Sequence, residues 1–472
     1  MPRVCGAFFE SVPESDDSED AQGFMNCGNK GGNIMQKMKK MVSMVLAGDS
    51  LITQRLPRDA KLAALKQYLE GFDVRFTNFE ILLHDFEVFP APVSGGTWGC
   101  ARPAVLQDLQ YLGFNLYTWA NNHTIDWNLG GILTTKKHLD AAGVVHAGCG
   151  INLEEAAQPR YLDLPQGRVA IIGVTSTMNE WGMASNPRRD VLGRPGANVL
   201  RYQTVHKVKP KELETLRKIV DQTEVNADRM LLEKEGFNKP LTGGYLIGKI
   251  RFEATARGEM PGTVTTMNKK DADRIVRSIE EAKRQADFVF VSHHSHERKG
   301  MAKNRPADFC RDFAKLCIDA GATAYIGHGP HIWRGIEIYK DKPVFYSLGD
   351  FIFQNDSVER QPTEFYDLYD LGPDNTVADG LDARSANGTR GLAVDHFVFE
   401  SALASFTVTD GAIREVNLQP LSLGFKNGRS LRGRPELADA KYGEQILADI
   451  ADLSKEYGTA IQIADGKGKI VI

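Results

Sequence analysis

An α/β fold is predicted by three features of this 472-residue sequence. Strand-like apolar runs alternate with helical periodicity along most of the chain, three successive strands end in the polar residues Asp49, Glu80 and His123, and hairpin signals interrupt the parallel rhythm. The sheet is therefore mixed, or there are two. Hydrophobic residues at 42% and charged residues at 25% supply an ordinary globular core, spread over two or three average domains or one large domain with insertions. A net charge of -4 gives no electrostatic case for nucleic acid or an anionic membrane. The six cysteines are scattered without a CxxC pair, which argues against a zinc-thiolate site and a disulfide framework; Cys310 and Cys317, seven apart on a predicted helix, read as small buried hydrophobes.

In chain order, the first 34 residues are acidic, rich in Gly and Asn and nearly free of periodicity, so residues 1–40 are expected to be a disordered tail. Lys37, Lys39 and Lys40 before the apolar run 41–47 mimic a signal peptide, but the run is short and leads straight into Gly48-Asp49, so it reads as the first core strand. No apolar run reaches the roughly 18 residues of a membrane span, and a cytoplasmic location is expected. Leu62, Leu65 and Leu69 then recur at helical spacing, Val74 and Phe76 alternate into Asn78, and Pro103 opens a helix that Gly113 closes. Residues 114–120 form the strand that ends at Asn121-Asn122-His123, and Leu129, Ile132, Leu133 and Leu139 mark a third helix. Around Pro165-Gln166-Gly167 lies an antiparallel hairpin.

Residues 178–268 break the rhythm with a charged helix between Gly-rich loops and are expected to be an insertion that covers the site. Order returns with a helix carrying Ile275 and Ile279 and a strand, 288–291, that feeds Ser292-His293-His294-Ser295-His296-Glu297. A further helix ends at Gly321, a strand 324–326 runs into Gly327-His328-Gly329-Pro330-His331, and a hairpin follows over 335–348. Residues 355–390 read as a second insertion, 405–418 as a hairpin around Asp410-Gly411, and 431–472 as a C-terminal helix and tail.

Ligands in open α/β sheets sit at the carboxyl ends of strands, and four separated strand ends here present residues that bind metals. One such histidine is usually an ordinary hydrogen-bonding residue, but their recurrence points to a metal site. Asp49, Glu80, Asn122, His123, His293, His328 and His331 offer carboxylates, an amide oxygen and imidazoles without thiolates, a set that suits Mn, Fe or Zn and disfavours Ca or Mg. Neighbours on a strand point to opposite faces, so with His293 turned to the site His294 is the weakest candidate of that cluster.

These motifs carry a resemblance. Gly48-Asp49, Asn78-Phe79-Glu80, Asn121-Asn122-His123-Thr124-Ile125-Asp126, His293 with Glu297 four residues on, and GHGPHIWRGIEIYKDKPVFYSLGDF over 327–351 occur in order across residues 48–351. The sequence resembles the CapA family, the bacterial poly-γ-glutamate capsule biosynthesis proteins, whose fold is that of the calcineurin-like metallophosphatases. The resemblance implies a four-layer αββα sandwich of two mixed sheets over 41–430. It also implies two divalent transition-metal ions, with Asp49 and His331 on one, Asn122, His293 and His328 on the other, and Glu80 between them. His123 is implied as general acid, oriented by Asp126. A metal-dependent phosphoesterase-like hydrolase is the expected activity, acting on a small-molecule or peptide substrate, and a polyglutamate synthesis or export factor and a peptide epimerase are the alternatives. Two departures stand out: Gln54 takes the position where relatives carry Arg, with Arg55 next to it, and Asp350 replaces the usual Asn of SLGNF.

Overall fold

The computed structural model describes residues 41–472; the tail expected over 1–40 lies outside the described residues. Two mixed sheets organise the chain. In the first, of eleven strands, Met41–Leu51 pairs in parallel with Val74–Phe79, and the parallel series continues through Leu116–Thr118 to Val145–Ala147. On its other side Met41–Leu51 pairs antiparallel with Glu400–Thr409, which leads on to Glu415–Ser422 and Lys467–Val471. The second sheet runs Ile336–Tyr339, Lys342–Phe345, Ala324–His328, Phe288–His294, Gly167–Thr175, Arg160–Leu164, parallel in the middle with an antiparallel hairpin at each edge.

Strand alternation builds the layers. Val42, Met44, Leu46 and Phe76 from the first sheet meet Val169, Ile171, Phe288, Phe290 and Ile326 from the second, each at most 2% exposed. The opposite face of the first sheet, with Val45 and Ala47, packs on Leu62, Leu65, Leu109 and Ile132 of the helices Ala60–Leu69, Leu106–Tyr111 and Asn128–Ala141. Ala170, Ile172, Val289 and Val291 of the second sheet pack on Lys269–Gln285 and Asp308–Ala320, the latter carrying the buried thiols of Cys310 and Cys317. The result is the expected αββα sandwich. No helix among the described residues is long and apolar enough to cross a membrane.

The helices start and stop where the sequence signals it. Asp59 caps Ala60–Leu69 by accepting from the backbone N–H of Leu62, and Gly321, at a φ of 111° that only glycine adopts without strain, closes Asp308–Ala320.

Within 178–268 a four-stranded sheet, Tyr245–Ile247, Ile250–Ala254, Tyr202–Val208 and Gly262–Met267, docks on the helix layer, where Tyr202 stacks on Phe309 at 4.4 Å. The opening turn of this stretch, Glu180–Gly182, lies instead against Ile125 in the His123 turn. Residues 355–390 contribute Phe365 and Leu381 to the core beside Trp98. Gln361 there exchanges hydrogen bonds with the backbone of Trp98, and Arg384 donates to Thr97 Oγ1 at 2.7 Å, which ties this stretch to the loop 95–99. The C-terminal stretch differs from the expected helix and tail. After the helix Ala440–Lys455 the chain forms the hairpin Gln462–Ala464 and Lys467–Val471, which extends the first sheet. Asp465 and Gly466, at φ of 51° and 70°, make the two-residue turn, and Ile470 is buried while Val471 is exposed.

Candidate metal centre

The carboxyl ends of the parallel strands in both sheets meet at one place. Gly48 crosses the backbone of Gly349 so closely that a Cβ would lie 1.9 Å from its carbonyl oxygen, and this crossing brings Asp49 beside Asp350. Asp49 is fully buried: its Oδ1 accepts from Asn78 Nδ2 at 2.7 Å, its Oδ2 accepts from the N–H of Gly329 at 2.8 Å, and His328 Nδ1 lies 3.1 Å from Oδ1. A ring of buried hydrogen bonds closes beneath it. Thr118 Oγ1 donates to Asn78 Oδ1 and meets Ser292 Oγ across the two sheets at 2.9 Å, and Ser292 Oγ meets His328 Nε2 at 2.6 Å.

Above this ring three groups of side chains each place one ligand atom apiece within 4.8 Å of the others: Asp49, Glu80, His331 and Asp350; Glu80, His294 and His296; and Asp49, His294 and His328. Asn122 joins them, with its Oδ1 2.7 Å from His294 Nε2. His331 is held at a φ of 59°, a conformation that costs a branched or bulky residue free energy and recurs at functional sites.

The electrostatics call for a cation. Glu80 is fully buried and neither of its oxygens has a hydrogen-bond partner among the described residues. Burial, followed by the charges of Asp49 and Asp350, pushes its carboxyl well above the usual range. Burial likewise raises Asp350 to about 6 against the pull of His331, 3.0 Å away, and its Oδ2 has no hydrogen-bond partner among the described residues. Asp49 behaves oppositely: burial would raise it, but His328 and His294 hold it well below the usual carboxylate range. Burial drives His294 down to about 4, so its imidazole is neutral, the form that coordinates a metal. Buried carboxylate oxygens that have no hydrogen-bond donor among the described residues, beside the neutral imidazole of His294, are what a divalent cation would satisfy, so the residues present fit a metal.

His123 and Asp126 sit at the edge of the cluster. His123 Nδ1 donates to Asp126 Oδ2 at 2.6 Å, and the same carboxylate accepts from the N–H of Gly95 at 2.8 Å and Gly99 at 2.7 Å. The imidazole is thus fixed through Nδ1.

His293 lies elsewhere. Phe288 and Phe290 face the second sheet's partner sheet, so two-residue alternation turns Ser292 and His294 the same way and His293 to the helix side. There His293 bonds Tyr325 OH at 2.6 Å and Ser176 Oγ at 2.9 Å, with Phe313 against its ring. His294 takes the place expected for His293, and His296 adds a second imidazole from the same segment. Because Phe288–His294 is buried on both faces, its sequence carries no polar alternation to show which histidine faces the site. Asp49, Glu80, Asn122, His328 and His331 are brought together as expected.

A profile of the family described as bacterial capsule synthesis protein PGA_cap matches residues 43–355, a stretch that holds every residue of this cluster. The chain belongs to the PGA_cap family. It is similar to the proteins y4sH and y4uA of Sinorhizobium fredii, each 34% identical over 444 residues, covering 91% of this chain and 92% of theirs. It is also similar to the capsule biosynthesis protein CapA of Bacillus anthracis, 22% identical over 68% of this chain and 62% of that one. Among solved structures, a phosphatase of Mycoplasma pneumoniae is similar at 11% identity, with a TM-score of 0.36 and coverage of 82% of this chain and 95% of that chain.

In this PGA_cap protein the shifted arginine does not reach the metal centre. Arg55 forks onto the buried Asp108 at 2.8 and 3.1 Å, and the Asp108 carboxylate also accepts from the N–H of Leu56. Asp350, by contrast, stands among the candidate ligands, where it offers a carboxyl group in place of an amide.

Proposed function

We propose that this PGA_cap protein is a two-metal hydrolase of a phosphoester or a related bond. The observation that carries the reading is Glu80, a carboxyl group with no hydrogen-bond partner for either oxygen among the described residues, buried between Asp49, Asp350 and His294. One ion would be held by Asp49, Glu80, His331 and Asp350, the second by Glu80, Asn122, His294 and His296, with His328 beneath them between Asp49 and Ser292. Mn, Fe or Zn suits this mixture of oxygen and nitrogen donors. Such ions supply an activated water and neutralise charge on the phosphoryl oxygens. The chain's own part is positional. Asp126, locked by two backbone N–H groups, holds His123 with Nε2 to deliver a proton to the leaving oxygen, and the Gly329 N–H and Asn78 amide fix the position of the Asp49 carboxyl group.

The similarity to CapA of Bacillus anthracis supports a second reading, in which the same centre binds a polyglutamate chain during its synthesis or export without hydrolysis. Elemental analysis of purified protein, coupled to a screen on p-nitrophenyl phosphate and bis(p-nitrophenyl) phosphate, separates the two. The hydrolase reading expects about two transition-metal ions per chain and a turnover that chelation abolishes and Mn restores. Metal-replete protein that turns over no phosphoester sinks it in favour of polymer binding, and protein that takes up no metal sinks both.

A further inference from the structure

Beside the metal centre, and lined by none of its side chains, lies a cavity of about 440 Å³ between the helix Ala440–Lys455, the strand Ala302–Pro306 and the residues that follow His331. Its floor is mostly apolar: Ile332, Trp333, Ile446 and Ile450 are each at most 7% exposed, and their one polar side-chain atom, Trp333 Nε1, is buried without a hydrogen-bond partner among the described residues. The charged groups on its walls are mostly acidic. Lys303 is engaged by Asp395 at 3.2 Å, and Asp452 has Lys455 at 3.0 Å. Two carboxylates are left, Asp449, which makes no ion pair among the described residues, and Glu400.

Glu400 is the telling residue. Its side chain is 6% exposed, and its Oε1 accepts from Tyr442 OH at 2.9 Å with His396 Nδ1 at 3.0 Å. Its Oε2, equally buried, has no partner among the described residues. A buried carboxylate oxygen without a donor is rare in a folded protein and marks a place where a donor belongs. The volume is in the range of small-molecule sites, and the apolar floor under a carboxylate wall selects the occupant. A hydrated metal ion would leave the floor uncovered, an anion would face Glu400 and Asp449, and a neutral apolar molecule would leave Oε2 unsatisfied.

We propose that this cavity binds an amphiphilic amine, its ammonium group donating to Glu400 Oε2 beside Asp449 and its alkyl body lying across Ile332, Trp333, Ile446 and Ile450. The site is separate from the proposed hydrolysis and does not rest on it. More than half of its lining comes from beyond residue 355, where the family match ends, so the ligand specificity belongs to this chain's C-terminal part.

Calorimetry on the full-length, metal-loaded protein with n-hexylamine, 1-hexanol and hexanoate tests it. Hexylamine should bind saturably at one site and raise the melting temperature, hexanol should bind at least about tenfold more weakly, as expected for loss of a charge-assisted bond to a buried carboxylate, and hexanoate should not bind. Glu400→Gln should weaken hexylamine about tenfold or more without changing hexanol or the metal content measured by elemental analysis. Leu453→Trp, at the half-buried mouth, should exclude all three and decides the matter if Glu400→Gln does not fold. Equal binding of amine and alcohol, no saturable binding of amine, or hexylamine binding unchanged in both variants would overturn the proposal. Phosphoester turnover, assayed alongside, reports on the metal centre alone, so the two readings fail independently.

Discussion

On the proposed reading His123 and His331 would divide the work of the centre between moving a proton and holding a cation. His123 spends Nδ1 on Asp126, whereas His331 turns its Nδ1 toward Asp350 and Glu80, at 3.0 and 3.9 Å. His123→Ala should therefore keep its metal while losing roughly 10²–10⁴-fold in turnover, and lose least with p-nitrophenyl leaving groups that need no proton. His331→Ala should lose metal by elemental analysis; a His123→Ala protein equally empty of metal would make His123 a ligand and leave His296 as the next candidate acid. His84, outside the centre, makes a pH prediction. Burial, only partly offset by Glu87 and Asp85, lowers it from 6.5 to about 4 in the folded chain, where its Nδ1 accepts from the N–H of Phe86 at 3.1 Å. The folded state thus binds fewer protons than the unfolded state across that window, so this contribution is complete above pH 6.5 and is lost as the pH falls towards 4. Asn offers an oxygen where Nδ1 accepts but does not titrate. His84→Asn should thus flatten the stability loss between pH 7 and pH 5 by roughly 1–2 kcal/mol in urea unfolding, and an unchanged pH profile would show that folding does not lower the pKa of His84.

Single elements show what was legible in the sequence and what was not. The strand Met41–Leu51 announced itself, since an apolar run ending in Gly-Asp leaves little else to be, and the hairpin Ile336–Tyr339 with Lys342–Phe345 turns where its residues said it would, with Lys340 and Asp341 at φ of 51° and 59°. The choice between His293 and His294 was not legible, because a strand covered on both faces shows no alternation and the facing sheet decides which residue is inside. Nor was the loop 95–99. It carries no motif of its own, yet Gly95 and Gly99 bring backbone N–H groups onto Asp126, and a Cβ at Gly95 would lie 2.7 Å from Asn122 Nδ2 and 2.8 Å from the Asn122 backbone. Gly95→Ala should accordingly displace Asn122, lowering metal content and turnover while the melting temperature falls by little, since 95 is a surface loop position outside both sheets. A variant with full metal occupancy and normal turnover would show that the loop yields without moving Asn122.

At the scale of the whole molecule the centre is the place where the two sheets are joined by polar rather than apolar contact. Asp49 and Glu80 come from the first sheet and its following turn, and His294 and His328 from the second, so ions held among them would cross-link the halves of the sandwich. Without cations the same place concentrates the carboxyl groups of Asp49, Glu80 and Asp350 in a buried pocket among His294, His328 and His331, an arrangement expected to destabilise the fold. Binding to the folded state alone stabilises by about 2.7 kcal/mol when free metal stands at 100 times its dissociation constant. Chelation should therefore lower the melting temperature by several degrees, reversibly on addition of Mn. Glu80→Gln provides the sign test, because it removes one of the opposed carboxylates together with the bridge. It should be insensitive to chelator and, at pH 8, should melt above chelated wild-type protein while melting below the metal-loaded form. If chelated wild-type protein melted at the same temperature as metal-loaded protein, the ions would not be linking the sheets. If Glu80→Gln melted below chelated wild type, Glu80 would be stabilising the metal-free fold through a partner other than a cation.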